Sequence, residues 1–252
     1  MSVIEVLLLL LVAGLLAFMS WRDRQEYIEF SLVTDTLERQ RTVRRWILVS
    51  FLLFGVTSLV GLALLGRFNA LLDFPAEFAS LADDIRRLLA ESGVGAGFLA
   101  GAVGAIIAGI FLGVVLRKRQ QRENMPSELL LGDVDPLRAR NAEERRWTTV
   151  LAINAGFSEE LFFRLFLPLL VVEVTGNAIV AFILAALAFG MAHYYQGWVG
   201  VVATIGLGAV MTAIYLATGT IWAPVVVHAL IDFSGLVFRP WLRERAGQRP
   251  TG

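Results

Sequence analysis

The chain has 252 residues, of which 57% are hydrophobic and only 17% charged; 22 basic residues balance 22 acidic ones, and there is no cysteine. A soluble domain of this composition would expose more apolar surface than it could cover, so the chain reads as a polytopic membrane protein. The missing cysteine excludes disulfides and thiolate catalysis, and the balanced charge points to no partner.

Seven apolar stretches follow one another, each roughly the 17–25 residues that a membrane span needs. The first covers 3–20. It has no basic stretch before it and no clear small-residue cleavage site after it, as expected of an uncleaved anchor. The second covers 46–66. The third, 94–116, has Gly97/Gly101 and Gly109/Gly113 four residues apart, a spacing that lets helices approach closely within the bundle or against a second copy. Oligomeric state is therefore open. The fourth to seventh cover 147–175, 177–194, 198–218 and 221–238. Two of the turns, 173–177 and 195–197, are short enough for a re-entrant hairpin, which sets the count at seven or eight. The expected fold class is all-α: a polytopic transmembrane helix bundle with an intramembrane polar cavity. N-terminal transmembrane helices occupy 1–146, a core 147–239 and a tail 240–252.

Basic residues orient the bundle. The first connection holds Arg22, Arg24, Arg39, Arg41, Arg44 and Arg45. The third holds Arg117, Lys118, Arg119, Arg122, Arg138, Arg140, Arg145 and Arg146, and the tail Arg239, Arg243, Arg245 and Arg249. With seven spans all three segments fall on one side, and the positive-inside rule makes that side cytoplasmic, with the N-terminus outside. Trp21, Trp46 and Trp147 stand beside arginines at span ends, as interface anchors do. In the second connection, 75–89, apolar residues recur at Phe78, Leu81, Ala82, Ile85, Leu88 and Leu89, which predicts an amphipathic helix on the outer surface, a lid on the bundle or a substrate gate. Residues 117–146 are polar, contain Pro126 and Pro136, and read as a basic cytoplasmic loop facing anionic membrane lipid. No folded basic surface for nucleic acid, no GxGxxG and no phosphate loop is present.

Against this background, Glu159, Glu160 and Arg164 stand out inside the apolar run 147–172. A charge at mid-membrane costs roughly 2.5–3.5 kcal/mol on insertion scales, so ionisable residues there mark a functional site by default. Glu160 and Arg164 are four apart and share a helical face, where they can pair. Glu159 is rotated by about 100° and is left facing something else. The chain's two histidines, His193 and His228, both fall in or at the ends of spans, and Asp232 follows His228 on the same face. Pro224, four residues before His228, is expected to open the backbone there. No G-x-S-x-G turn surrounds Ser158. Water activation is the simpler chemistry. A desolvated carboxylate is a stronger base, a neutral imidazole can share the proton, and a second imidazole can donate to a developing oxyanion. That set fits hydrolysis of an amide bond.

The pattern Glu159-Glu160-x-x-x-Arg164, Phe189-x-x-x-His193 and His228-x-x-x-Asp232 resembles the three motifs of the CAAX protease and bacteriocin-processing family, also called CPBP or Abi, which contains the type II CAAX prenyl endopeptidases and their prokaryotic relatives. The resemblance covers roughly 147–239. It implies an intramembrane endopeptidase, glutamate-type, with a water nucleophile and no essential metal or cofactor. Glu159 and His193 would activate the water, His228 and the residue at 232 would stabilise the oxyanion, and Glu160 with Arg164 would be the supporting pair. The implied substrate is a membrane-associated protein or peptide: a prenylated protein cut just after its lipidated Cys in the eukaryotic members, or a bacteriocin or pheromone precursor. The implied setting is a bacterial or archaeal plasma membrane. The prenyl-processing members carry Asn where this chain has Asp232. An ionised Asp cannot donate to an oxyanion, so Asp232 either stays protonated or, the preferred alternative, orients His228. Two other readings fit the same residues: a metal-dependent hydrolase ligated by Glu159, His193 and His228, and a non-enzymatic partner-binding or transport protein with a buried structural cluster.

Overall fold

The computed structural model describes residues 3–92 and 134–247. The third predicted span, 94–116, and the predicted basic loop as far as 133 lie outside the described residues. Among the described residues every regular element is helical.

Helix α1 (Val3–Leu32) continues well past the predicted end of the first span at 20. Its polar second half stays helical because it is packed: Glu26 accepts from Arg22, Arg45 and Trp46 at 2.8, 3.0 and 3.1 Å, tying α1 to the next helix. That next helix, α2 (Thr36–Ser50), starts at Asp35, whose carboxylate accepts from the backbone N–H groups of Leu37 and Glu38. A π-type turn, Phe51–Val56, carries it without a break into α3 (Thr57–Leu64). The predicted connection 21–45 is thus mostly helix, with its bend at 33–35. Hydropathy marks only the lipid-embedded part of a helix, whereas caps and ion pairs carry it on through the interface.

The predicted amphipathic helix forms as α4 (Ala79–Glu91), delayed by Pro75 and a tight turn at Ala76–Phe78. The predicted loop ends before 146, because Asn141 caps α5 (Ala142–Glu160) by accepting from the N–H groups of Glu143 and Glu144. A second π-type turn, Leu161–Phe166, joins α5 to α6 (Leu167–Thr175) as one continuous rod. Gly176 then adopts φ +67°, a left-handed cap, and Asn177 caps α7 (Ala178–Ala192). A short turn, Tyr194–Gln196, leads into α8 (Gly197–Thr218), closed by Gly219 at φ +69°. The chain ends with α9 (Trp222–Phe233), a π-type turn Ser234–Phe238 and α10 (Arg239–Gly247), so the first part of the predicted tail is helical. Pro224 opens no backbone: it falls in the first turn of α9, where a missing N–H costs nothing.

Four helical rods, Glu5–Leu32, Thr36–Leu64, Tyr194–Thr218 and Trp222–Leu242, are long and apolar enough to cross a bilayer. Large apolar side chains such as Leu7, Leu10, Leu11, Ile183, Leu184 and Val202 are exposed on them and on α7, a surface suited to lipid rather than water. The protein is an integral membrane protein. The α5–α6 rod is its axis, with every residue from Leu161 to Val172 buried. By contrast α7, with 15 residues, rises only about 22 Å against a hydrocarbon core of roughly 30 Å. Its C-terminus, and His193 with it, therefore stops short of a full crossing.

Small residues set the close approaches. A Cβ on Gly156 of α5 would lie 2.7 Å from the backbone nitrogen of Ala229 on α9, and one on Gly190 of α7 would lie 2.4 Å from Ile205 and 3.0 Å from the Val201 carbonyl oxygen on α8. On α4 Ala82 is fully buried, so the small side chain that thins the apolar stripe is what seats the helix closely. Arg86 of α4 donates to the Ala217 carbonyl at 3.2 Å, satisfying one of the unpaired acceptors at the end of α8. Gly156→Ala should push α9 away and lower stability by about 1–3 kcal/mol. This is measurable as a lower melting temperature of the detergent-solubilised protein. Gly14→Ala, where an added Cβ meets nothing within 4 Å, should leave melting unchanged.

Candidate active site

The adjacent acids end α5, and the helical rotation between them sends them to different places. Glu160 is fully buried between α5 and α9. Its Oε1 accepts a hydrogen bond from His228 Nδ1 at 2.7 Å, and its Oε2 lies 3.1 Å from Arg164 Nε. The Gly156–Ala229 contact makes this possible: Glu160 is one turn beyond Gly156, and His228 is next to Ala229, so the backbone approach at one level brings carboxylate and imidazole together at the next.

The pair expected between Glu160 and Arg164 is formed, but the arginine N–H groups are not aligned for hydrogen bonds to it. The guanidinium lies over the Phe189 ring, 4.2 Å from its centroid, so a ring face supplies part of what the missing hydrogen bonds do not. Phe189 also packs against both imidazoles, with centroids 4.7 Å from His193 and 6.0 Å from His228. It is the apolar spacer between the two histidines. Gly208 of α8 makes room for it: a Cβ there would lie 3.1 Å from Phe189 and 3.6 Å from Arg164.

Glu159 turns the other way. His193, at the C-terminus of α7, donates from Nδ1 to the Phe189 carbonyl one turn back, at 2.8 Å. That bond fixes the tautomer and leaves Nε2 as the bare nitrogen. It faces Glu159 Oε2 across 3.8 Å, too far for a direct hydrogen bond, and Glu159 Oε2 has no other partner among the described residues. On α9, His228 Nε2 lies 3.6 Å from Asp232 Oδ2. The seven residues singled out in the sequence thus converge, and they fall into two layers. The side chains of Glu160, Arg164 and His228 are at most 4% exposed, whereas Glu159, His193 and Asp232 are 13%, 15% and 29% exposed. The outer three form the more accessible layer, although Glu159 Oε2 itself is buried.

Sequence spacing did not reveal that Glu160 serves His228 as well as Arg164. The carboxylate that meets Nδ1 of that ring is Glu160, and Asp232 flanks the opposite nitrogen. Gly208 and Tyr195 were also missed. The Tyr195 ring packs, tilted, between His193 (5.7 Å) and Tyr27 of α1 (4.9 Å), so α1 closes one side of the site. No periodicity marks either residue, because their roles come from neighbours on other helices. Among the described residues, no three His, Asp or Glu side chains are grouped as the ligands of a metal ion would be.

No curated protein and no solved structure matches the chain. Residues 142–234, however, match the family described as type II CAAX prenyl endopeptidase Rce1-like. The match begins at the first residue of α5 and ends just past α9, so it contains all seven of these residues. The family implies CAAX protease activity in the membrane in general. Over residues 142–234 this integral membrane protein is thus similar to the type II CAAX prenyl endopeptidase Rce1-like family.

Proposed function

We propose that the chain is an intramembrane endopeptidase that hydrolyses a peptide bond of a membrane-associated protein or peptide with a water activated by Glu159 and His193. The observation that carries this is the 3.8 Å gap between Glu159 Oε2 and the bare Nε2 of His193. Both atoms are acceptors. A water about 2.8 Å from each would donate one proton to the carboxylate and the other to the imidazole, which orients its lone pairs outward. Transfer of the first proton to Glu159 leaves hydroxide to attack the scissile carbonyl, and the same proton can pass to the leaving amine. His193 holds the second hydrogen of the water in line.

His228 is suited to the oxyanion. With both ring nitrogens protonated, Nδ1–H donates to Glu160 and Nε2–H points toward the accessible side, near Asp232. As the carbonyl becomes tetrahedral, its oxygen takes that donor. Glu160 and Arg164 do not touch substrate in this scheme; they hold the ring. Asp232 tunes the direction of Nε2–H and is not itself a donor. No step calls for a metal ion, so cleavage should persist in excess chelator. The substrate class is a lipid-anchored or membrane-embedded peptide, with prenylated Cys-terminal sequences the first to test. The distribution of arginines supports an N-terminus outside and a C-terminus in the cytoplasm, and the membrane we infer is a bacterial or archaeal plasma membrane.

The primary test compares membrane peptides, by quantitative proteomics, in cells carrying the wild type or Glu159→Gln. Peptides cleaved only in the wild type are expected, and their absence would defeat the proposal. On a substrate so found, Glu159→Gln and His193→Ala should each lower turnover by about 10²–10⁴-fold with unchanged melting temperature. Glu160→Ala is the contrasting variant. It strands a buried guanidinium and should cost about 3–5 kcal/mol of stability, visible as a marked drop in melting temperature before activity is assayed. Asp232→Asn should keep turnover within about tenfold of wild type, since Glu160 still holds the ring; a folded but inactive variant would show that the carboxylate itself reacts.

A further inference from the structure

On the far side of α5 from Glu159 lies a feature that proteolysis does not use. The wall between α2 and α5 is indented by a cavity of about 510 Å³, inside the roughly 300–1,000 Å³ range of small-molecule sites. Its lining is apolar along its length, from Ile47, Leu48 and Phe51 on one helix and Val150, Ile153 and Phe157 on the other. Phe157 and Glu159 are two residues apart, about 200° around the helix, so the groove and the polar pocket open on opposite faces.

The groove has one charged end. Arg44 lines it there, and its guanidinium lies 4.9 Å from the centroid of the Trp147 ring; Arg146 lies 5.7 Å from the same ring. Several neighbouring arginines have carboxylate partners. Arg39 and Arg140 share Glu144, Arg22 and Arg45 share Glu26, and Arg145 pairs with Glu244. Arg44 donates only to the carbonyl of Gln40 in its own helix, and neither it nor Arg146 has a carboxylate partner among the described residues. Two exposed cations beside an interfacial tryptophan thus cap a trough of hydrocarbon. From Trp147 to Phe157 the trough runs about 15 Å along α5, which is one leaflet of a hydrocarbon core of roughly 30 Å. Its floor is closed by Asn154, which donates to Ser50 at 2.7 Å and joins the two helices.

We propose that this groove is a binding site for one anionic phospholipid of the surrounding bilayer, with the phosphate headgroup on Arg44 and Arg146 and one acyl chain along the α2–α5 trough. Charge complementarity selects the headgroup, and the depth of the trough matches the chain. The site is independent of the chemistry assigned to Glu159 and His193, and can be tested on protein carrying no activity at all.

The experiment is native mass spectrometry of the delipidated, detergent-solubilised full chain, titrated with dioleoylphosphatidylglycerol or dioleoylphosphatidylcholine. The acyl chains are the same, so any difference reads the headgroup. Wild type should retain one phosphatidylglycerol in preference to phosphatidylcholine by roughly 30-fold, about fivefold from each arginine. The double variant Arg44→Gln/Arg146→Gln should lose that preference, and the double variant Arg44→Lys/Arg146→Lys should keep most of it. Ile153→Trp, which fills the trough, should weaken both lipids. Arg87→Gln, on α4, should change nothing. Equal binding of the two lipids overturns the proposal, as does a loss with Arg87→Gln as large as that with the paired arginines, or full binding in Ile153→Trp. A dimer that excludes lipid would give the groove to a second copy and overturn it equally.

Discussion

The carboxylate of Glu160 is held between an imidazole and a guanidinium, and none of the three has appreciable contact with solvent. Taking a charge out of water costs several kcal/mol after relaxation, and only good geometry with an opposite charge returns it. Glu160 returns it twice, to Arg164 along its own rod and to His228 across the α5–α9 contact. That arrangement fixes the rotation of α5, and the rotation in turn decides where Glu159 points. It also depends on Gly156, since any larger residue there would hold α9 away and leave the carboxylate short of the ring.

Two identical side chains, adjacent in sequence, consequently have different physical situations. One is a buried hub whose negative charge is spent on neighbours. The other faces a bare imidazole nitrogen across 3.8 Å and has a buried oxygen with no hydrogen-bond partner among the described residues. Phe189 keeps these situations separate. Its ring supports Arg164 on one side and both histidines on others, and its carbonyl sets the His193 tautomer. Glu159 and His193 are thus set apart from the buried pair that holds the helices together.

Electrostatics is organised differently at the arginine-rich end of the bundle. There, carboxylates are shared: Glu144 takes Arg39 and Arg140, and Glu26 takes Arg22 and Arg45. Arg39 is almost fully buried and also donates to the Pro136 carbonyl, so it acts as a structural clasp between α2 and the segment before α5. Arg44 and Arg146, which have no carboxylate partner among the described residues, add to the positive charge of this end beside an aromatic ring and above an apolar trough. In a membrane protein such charge meets the headgroup layer.

Much of this was written in local sequence. Composition fixed the solvent, apolar runs located most of the helices, and the period of 3.6 paired Glu160 with Arg164 and set Glu159 apart, because lipid exposure and i,i+4 proximity are properties of a single helix. The amphipathic α4 and the polar residues inside spans were legible for the same reason. Helix ends were less so. Asp35 and Asn141 start helices outside the apolar windows, where hydrogen-bonded caps rather than hydropathy set the boundary. What only the tertiary structure decided was the partnership between helices: Glu160 with His228, His193 with Glu159, Gly208 beneath Phe189, and Arg39 in a buried pair rather than on the surface. Each of these rests on how near two backbones come. That distance is set by the packing of small residues on separate helices, far apart in the chain, and no periodicity within one helix carries it.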